Sequence, residues 1–570
     1  MGFIYELGKH PLVQNMRKML SGRRRNLFKT GTASVALIAG LLAAAPSYAQ
    51  EPPVTLAQAG AAPQTAPAPS SERSPSEVST FVGSLIPGFD FTAGINLAET
   101  YTTNSGGYSG GANQDDWVTE AGINLGLHEH SRRVSLDASY IGQIYYYARD
   151  TQSTQFTNNL QALGTVSAIP DYVNIIGRAF AQPVVISNSG FVTANGIAGP
   201  DGYRNSYGYS IGPDITFRLG SFATSDLLAT YGAAYFTNPA GVTSATIPGV
   251  SGPEDVTMRS VNWTLQSGPD FSRLQWTAIG SFSEMDRSQG LLSQKSGLAT
   301  FQYAITREIS LLGTGGYDAI SNTTPLFQDI SGPVGMGGIA ITLPDFTFEF
   351  QVGEKYNSLS YQGALRWDIG PSSVLTGTAT DGISTPEGQL LSNLSSLAAS
   401  PNGVLTTAGN MYSNGSAGSL ASFSAQSLGS LSFNQNIARY QRISLGYSQD
   451  FERDHANVGV FYSKVTQLSG FFLGQQEQNS YGGQASFAHD ISRLTTATLG
   501  AGYTTYEELG GESHTYNVSG QIDYSLAPET RIYFRTMYLN RDSSQNLQNL
   551  SPFTGSLDDV RLTLGLYHQL

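Results

Sequence analysis

Two histidines two positions apart, His128 and His130, flank Glu129 in a stretch that reads as extended chain. Side chains at i and i+2 of a strand share a face, so both imidazoles would stand on one side and could supply two ligands of a zinc site. The neighbouring Ser131, Arg132 and Arg133 favour a plainer reading, a solvated polar turn, and no metal site is assigned. The run Gly335-Met336-Gly337-Gly338-Ile339-Ala340 has the outline of a dinucleotide loop. It lacks the strand-turn-helix unit that gives such glycines their purpose, so no cofactor is expected. Cysteine chemistry is excluded, because the chain has no cysteine. A Ser-His-acid set is not fixed either, His514 being the lone histidine placed toward one end of the expected strands, and no enzymatic activity is expected. What remains is recognition by hydrogen bonds. Asp137, Gln143, Glu349, Gln351, Arg366, Arg442, Asp523 and Arg535, with the aromatics Tyr145, Tyr147 and Tyr533, are the candidates. Amides and carboxylates exchange hydrogen bonds with hydroxyls, and aromatic faces stack on pyranose rings, which suits a path for hydrated sugars.

These candidates sit in segments that alternate apolar and polar residues at period two. Val134, Leu136, Ala138, Tyr140, Ile144 and Tyr146 oppose Ser135, Asp137, Ser139 and Gln143. Leu274, Trp276, Ala278 and Phe282 oppose Gln275, Thr277 and Ser281 in the same way, and Leu359, Tyr361, Leu365, Trp367 and Ile369 oppose Ser360, Gln362, Arg366 and Asp368. In Tyr516–Leu526 the split recurs, Ala527-Pro528-Glu529 turns the chain, and Ile532, Phe534 and Tyr538 continue it as a hairpin. Each such strand has an oily and a wet side.

A β-sandwich would show similar strands, so loop length decides. Short links at 129–132, 168–171, 219–222, 269–272, 343–345, 370–373, 450–454, 490–492 and 527–530 alternate mostly with longer Gly/Ser/Asn-rich links. That rhythm is the pattern of outer-membrane barrels, whose short turns face the periplasm. The expected fold is an all-β transmembrane antiparallel barrel of about 22 strands, within a range of roughly 18 to 24. In the last segment Val560, Leu562, Leu564, Leu566 and Leu570 share a face. This resembles the terminal strand read by the barrel assembly machinery, with Leu566, His568 and Leu570 as its signal, although Leu570 replaces the usual terminal aromatic.

Composition agrees. Only 13% of residues are charged, while the chain has 64 Gly, 30 Tyr and 27 Phe. No apolar run is long enough to span a membrane as a helix. Residues 1–49 read as a signal peptide: Arg23, Arg24, Arg25 and Lys29 precede an apolar stretch from Ala33 to Ala45, and Ser47-Tyr48-Ala49 offers a cleavage site. Met16 and Met19 are alternative starts to Met1, and the Arg24-Arg25 pair also resembles a twin-arginine signal. Residues 50–80, rich in Pro, Ala, Gln and Ser, are expected to be a disordered periplasmic linker, and 81–570 the barrel. Residues 1–49 carry seven basic residues and one acidic, so cleavage takes the net charge from −13 to −19. Nucleic acid is excluded as a partner by that charge. The largest loop is expected over 382–427, with a short amphipathic helix carrying Leu390, Leu391, Leu394, Leu397 and Ala398 behind Thr385 and Pro386. Two placements are open: folded into the barrel mouth, or lying on the surface against its neighbours.

The segments FDFTAGINLAETYTTN, with Glu99, Tyr101 and Asn104, FSRLQWTAIGSFSE, YAITREISLLGTGGYDAI and EKYNSLSYQGALRW resemble outer-membrane barrel proteins associated with exopolysaccharide and PEP-CTERM loci. Thr103 stands where that family commonly has an acidic residue, and Glu99 shares parity with the apolar face, which places it at the outer rim. The resemblance implies a porin-like barrel in a Gram-negative outer membrane, serving polysaccharide export with periplasmic export components as partners alongside lipid and the assembly machinery. A general diffusion porin and a plugged structural or adhesive barrel are the alternatives.

Overall fold

A computed structural model describes residues 90–105, 114–185, 203–237, 255–288, 290–323, 329–385, 387–388, 391, 398–399, 405–406, 437–468, 477–508, 511–543 and 556–570. The expected signal peptide and linker lie outside these residues, as do 81–89. The strands are β1 (Asp90–Thr102), β2 (Asp116–His130), β3 (Val134–Tyr147), β4 (Gln155–Ile169), β5 (Val173–Val185), β6 (Tyr203–Leu219), β7 (Ala223–Thr237) and β8 (Val256–Ser267). Next come β9 (Leu274–Arg287), β10 (Gly290–Ala304), β11 (Ile309–Asn322), β12 (Ile330–Leu343), β13 (Phe346–Lys355), β14 (Ser358–Asp368) and β15 (Ser373–Ser384). A small hairpin, β16 (Ala398–Ala399) and β17 (Leu405–Thr406), interrupts the series. It resumes with β18 (Ala438–Asp450), β19 (Asp454–Gln467), β20 (Glu477–Ser492), β21 (Thr495–Glu508), β22 (Gly511–Ala527), β23 (Thr530–Ser543) and β24 (Leu557–Gln569).

All but the small hairpin form one 22-stranded antiparallel sheet in which each strand pairs with its chain neighbours. The sheet closes on itself: β1 pairs with β2 and with β24, in the register Leu97↔Ala121 and Leu97↔Leu566. Closure leaves no free edge strand, which is what permits a sheet to cross lipid; β14 and β15 part toward their outer ends, pairing from Gly363↔Ala379 to Asp368↔Val374. The alternation read from sequence becomes an outer face carrying Leu97, Ile123, Ile144, Phe217, Val261, Leu359, Val518 and Leu564, all exposed. Exposed aromatics such as Trp117, Tyr146, Tyr231, Tyr317 and Tyr516 stand toward one end of the strands, and Tyr172, Phe222, Trp367, Phe451 and Tyr524 toward the other. Two aromatic girdles around an apolar band are the outer surface of a transmembrane barrel.

The short turns share one end, at 131–133, 170–172, 220–222, 344–345, 451–453, 493–494 and 528–529. One short turn at this end, between Ala304 and Ile309, is not punctuated by Gly, Pro or Asn; the Thr306 hydroxyl builds it by accepting from the amides of Glu308 (3.1 Å) and Ile309 (3.0 Å). At the opposite end three links are equally tight, contrary to the expected long-short rhythm: Arg287 to Gly290, Lys355 to Ser358 and Glu508 to Gly511. In the second, Tyr356 and Asn357 both have φ of 55°, the mirror-image turn whose twist matches a two-residue hairpin. The Gly335–Ala340 run is an ordinary part of β12.

The large loop runs between Ser384 and Ala438, not over 382–427, because Asp381 to Ser384 keep pairing with Gln441 to Ala438. The Thr385 hydroxyl accepts from the Gly388 amide at 3.0 Å, an N-cap, and Glu387, Gly388 and Leu391 are helical. The helix does not reach Ala398, which is extended and pairs with Thr406. Pro401-Asn402-Gly403 follows, a strong turn signal that favours a hairpin over a further helical turn.

Candidate functional site

The wet face of the strands lines the lumen, and its residues are joined into networks. Glu120 on β2 is the centre of the largest, only 5% exposed. Its Oε1 accepts from Asn96 Nδ2 of β1 at 2.9 Å and from Gln143 Nε2 of β3 at 2.6 Å. Tyr145 donates to Gln143 Oε1 at 3.1 Å, and Tyr533 of β23 donates to Asn96 Oδ1 at 3.2 Å. The Arg535 guanidinium lies 5.6 Å from the centre of the Tyr533 ring and donates through Nε to Gln521 Oε1 at 2.7 Å. Gln521 Nε2 then donates to both oxygens of Asp523, at 3.0 and 2.8 Å. This belt runs from β22 to β3 across the closing seam. Tyr533 crosses β24 by lying on Gly565, where an added Cβ would stand 2.2 Å from the ring. A buried carboxylate is tolerable only with such donors, and each bond contributes about 1 kcal/mol net.

A second network lies on the wall from β10 to β13. Thr300 and Thr314 hydroxyls meet at 3.0 Å, Thr314 donates to Gln351 Oε1 at 2.7 Å, and Gln351 Nε2 donates to Glu349 at 3.4 Å. Arg442 on β18 stands over the Phe461 ring at 5.6 Å. At the end of the short turns, Asp137 is approached by His128 Nδ1 at 3.0 Å and His130 Nε2 at 3.6 Å, so both imidazoles turn to one carboxylate. Arg366 pairs with Asp368 at 2.7 Å at the same end. Gln143, Tyr145, Asp523, Tyr533 and Arg535 therefore share the belt. Glu349 and Gln351 belong to the second network, and Asp137, Arg366 and Arg442 lie apart from both. Tyr147 packs with Val118 and Tyr145.

On the lipid-facing side of β24, Leu566 and His568 share the face of Leu570, and the strand end is zipped on both sides. His568 Nδ1 lies 2.9 Å from the Thr530 hydroxyl, and the Leu570 amide donates to the Ala93 carbonyl at 2.9 Å. Glu99 also faces outward, accepting from Thr119 at 2.8 Å near the outer end of β1.

The lumen of so wide a barrel needs filling, and the described residues of the loop pack inside its outer half. Leu391, Ile383 and Ile437 pack with Phe180, Ala234, Val256, Met285, Leu292 and Ile320, inward-facing residues of β5 and β7–β11. Gln294 Nε2 donates to the Ile383 carbonyl at 3.2 Å, and Thr385 meets Met285 Sδ at 3.5 Å. The β17 segment lies beside β3 and β4, on the opposite wall from β15. Of the two placements for the loop, the one inside the mouth holds for these residues. Tyr145 and Gln351 have no exposed surface, whereas Gln275, Thr347 and Arg366, near the short turns, are exposed.

Sequence reasoning missed Asn96, Glu120 and Gln521. Glu120 shares the inward face of β2 with Val118, Gly122 and Asn124 and alternates with the outward Trp117, Ala121 and Ile123, so the parity signal was present. Gln521 was on the recognised wet face of its hairpin and is joined to the belt by a bond the sequence does not encode locally.

No family model and no curated protein matches the chain. Solved structures do. They include the siderophore receptor PirA from Pseudomonas aeruginosa, with 10% identity over 84% of this chain and 80% of that one and a TM-score of 0.42. The FrpB iron transporter from Neisseria meningitidis shares 12% identity over 86% and 82%, with a TM-score of 0.46. The ferric-catecholate import receptor Fiu from E. coli K12 shares 9% identity over 84% and 82%, with a TM-score of 0.44.

Proposed function

We propose that the chain is an outer-membrane barrel of a Gram-negative bacterium that carries a polar polymer, an exopolysaccharide leaving the cell, along its lumenal wall. The observation that carries this is the belt from Asp523 to Tyr145: amides, tyrosine hydroxyls and carboxylates joined across six strands. A wall of this kind offers many weak, exchangeable hydrogen bonds to hydroxyls, which lets a sugar chain be held without being trapped. The acidic balance of the mature chain argues for a neutral polymer over a polyanion. The sequence resemblance to barrels of exopolysaccharide loci points the same way, and implies periplasmic export components as partners. The inward loop narrows the path and gives selectivity over a general porin.

A second reading, a plugged structural or adhesive barrel, is favoured by the packing of Leu391 and its neighbours inside the outer half of the lumen. A deletion strain separates the two. Loss of secreted polysaccharide with small-solute uptake intact supports export, loss of uptake supports a general porin, and neither loss supports the plugged barrel.

A further inference from the structure

On the wall from β15 to β22 the lumen has a recess of about 220 Å³ with no charged residue in its lining. Its floor is Gly446, Gly459 and Gly500, where the backbone stands bare. Its sides are the amides Asn457, Gln484 and Asn517 and the hydroxyls of neighbouring serines. Two of these groups are peculiar. Asn517 and Ser519 are 3% and 4% exposed, yet Asn517 Nδ2 and Ser519 Oγ have no hydrogen-bond partner. Leaving a buried polar group unpaired costs about 1–3 kcal/mol. Two side by side facing one cavity mark a place where a ligand supplies the missing partners.

We infer that this recess is a saccharide subsite taking one uncharged sugar residue, its ring over the glycine floor and its hydroxyls bonded to Asn517, Ser519, Asn457 and Gln484. Three features decide the ligand class. The absence of charge in the lining leaves an anionic or cationic group desolvated without a counter-ion. An amide both donates and accepts, as a sugar hydroxyl does. The narrow floor suits a flat ring, since a side chain at any of the three glycines would fill it.

The position fits a passing polymer. Gly446 and Asn457 lie five and four residues from the short turn at 451–453, so the recess opens in the half of the lumen below the loop anchored by Leu391. Asn517 and Ser519 also share the inward row of β22 with Gln521 and Asp523, so the recess continues directly into the belt. Along β22 Asp523 and Gln521 lie nearer the short turn at 528–529 than Ser519 and Asn517, so a chain entering from the periplasm there would pass from that end of the belt into the recess. This deepens the export reading and rests on it for the identity of the polymer, though not for the site itself.

The test is calorimetric binding to the purified full-length barrel, which does not depend on an open channel. Maltohexaose is the neutral probe and hexagalacturonate the charged one. In Gly459→Leu the recess is filled without disturbing the sheet, because a Cβ there meets nothing closer than Gln484 at 3.7 Å. Maltohexaose should bind the wild type and lose at least tenfold in affinity in Gly459→Leu, with hexagalacturonate binding at least tenfold more weakly than maltohexaose. Should that variant fail to fold, as judged by its heat-modifiable mobility, the double variant Asn517→Ala/Ser519→Ala must show the same loss. Equal binding in wild type and variants, preference for the uronate, or no maltohexaose binding would each overturn the subsite. If binding follows the expectation while a deletion strain secretes polysaccharide normally, the subsite stands and the export reading falls.

Discussion

Replacing Leu391 with alanine should loosen the loop from the inner wall and raise the conductance of the barrel. Leu391 is 6% exposed and packs among Met285, Leu292 and the other inward apolar residues of β5 and β7–β11. Truncating a leucine so enclosed typically costs about 2–5 kcal/mol, the spread depending on how far the site collapses. The cost falls on the docked loop and not on the barrel, whose backbone ladder does not include residue 391. At about 3 kcal/mol, with tenfold for each ~1.4 kcal/mol, the ratio of docked to released loop falls roughly a hundredfold. Single-channel recording of the full-length protein in planar bilayers reads this directly. Longer or larger openings are expected in Leu391→Ala, along with faster protease cleavage of the loop and unchanged heat-modifiable mobility of the barrel. Leu359→Ala is the control, since Leu359 is 68% exposed on the lipid side. Wild-type conductance together with wild-type cleavage in Leu391→Ala would refute the inference that this contact holds the loop.

Other expectations follow from the same structure. Glu120→Leu removes the acceptor shared by Asn96 and Gln143, leaving two amides short of a partner at about 1–3 kcal/mol each. Its melting in detergent should fall clearly below wild type, with Glu120→Gln in between. Leu564→Arg places a cation near the middle of the lipid face, where arginine costs about 2–4 kcal/mol. Refolding yield into lipid vesicles should drop, while Gln484→Arg, on the lumenal side, should fold as the wild type does.

Architecture was legible in the sequence because a half-wetted strand leaves a period-two trace: Asp137 and Gln143 against Ile144 and Tyr146 are sorted by the same alternation that the barrel imposes. Closure and the strand number follow from it with the turn rhythm. Turns made without glycine or proline are where that rhythm goes silent. The Ala304–Ile309 turn depends on the Thr306 hydroxyl, and Tyr356-Asn357 adopts positive φ without glycine. The candidate site was legible one residue at a time, not as a set. Parity says that Tyr533 and Gln143 face inward, but that Gln143 bonds Glu120 directly while Tyr533 reaches it through Asn96 depends on which strands meet at the closing seam. The course of the loop is less local still, for Leu391 at helical spacing demands apolar cover without saying which wall supplies it.

The most direct test of a lumen built for passage is ion current through the purified full-length protein in planar bilayers, with maltohexaose added on the periplasmic side. Discrete openings that the sugar interrupts reversibly, and that Leu391→Ala enlarges, are the expected result. A membrane that stays silent with both wild type and Leu391→Ala would contradict it and leave the barrel a closed surface structure.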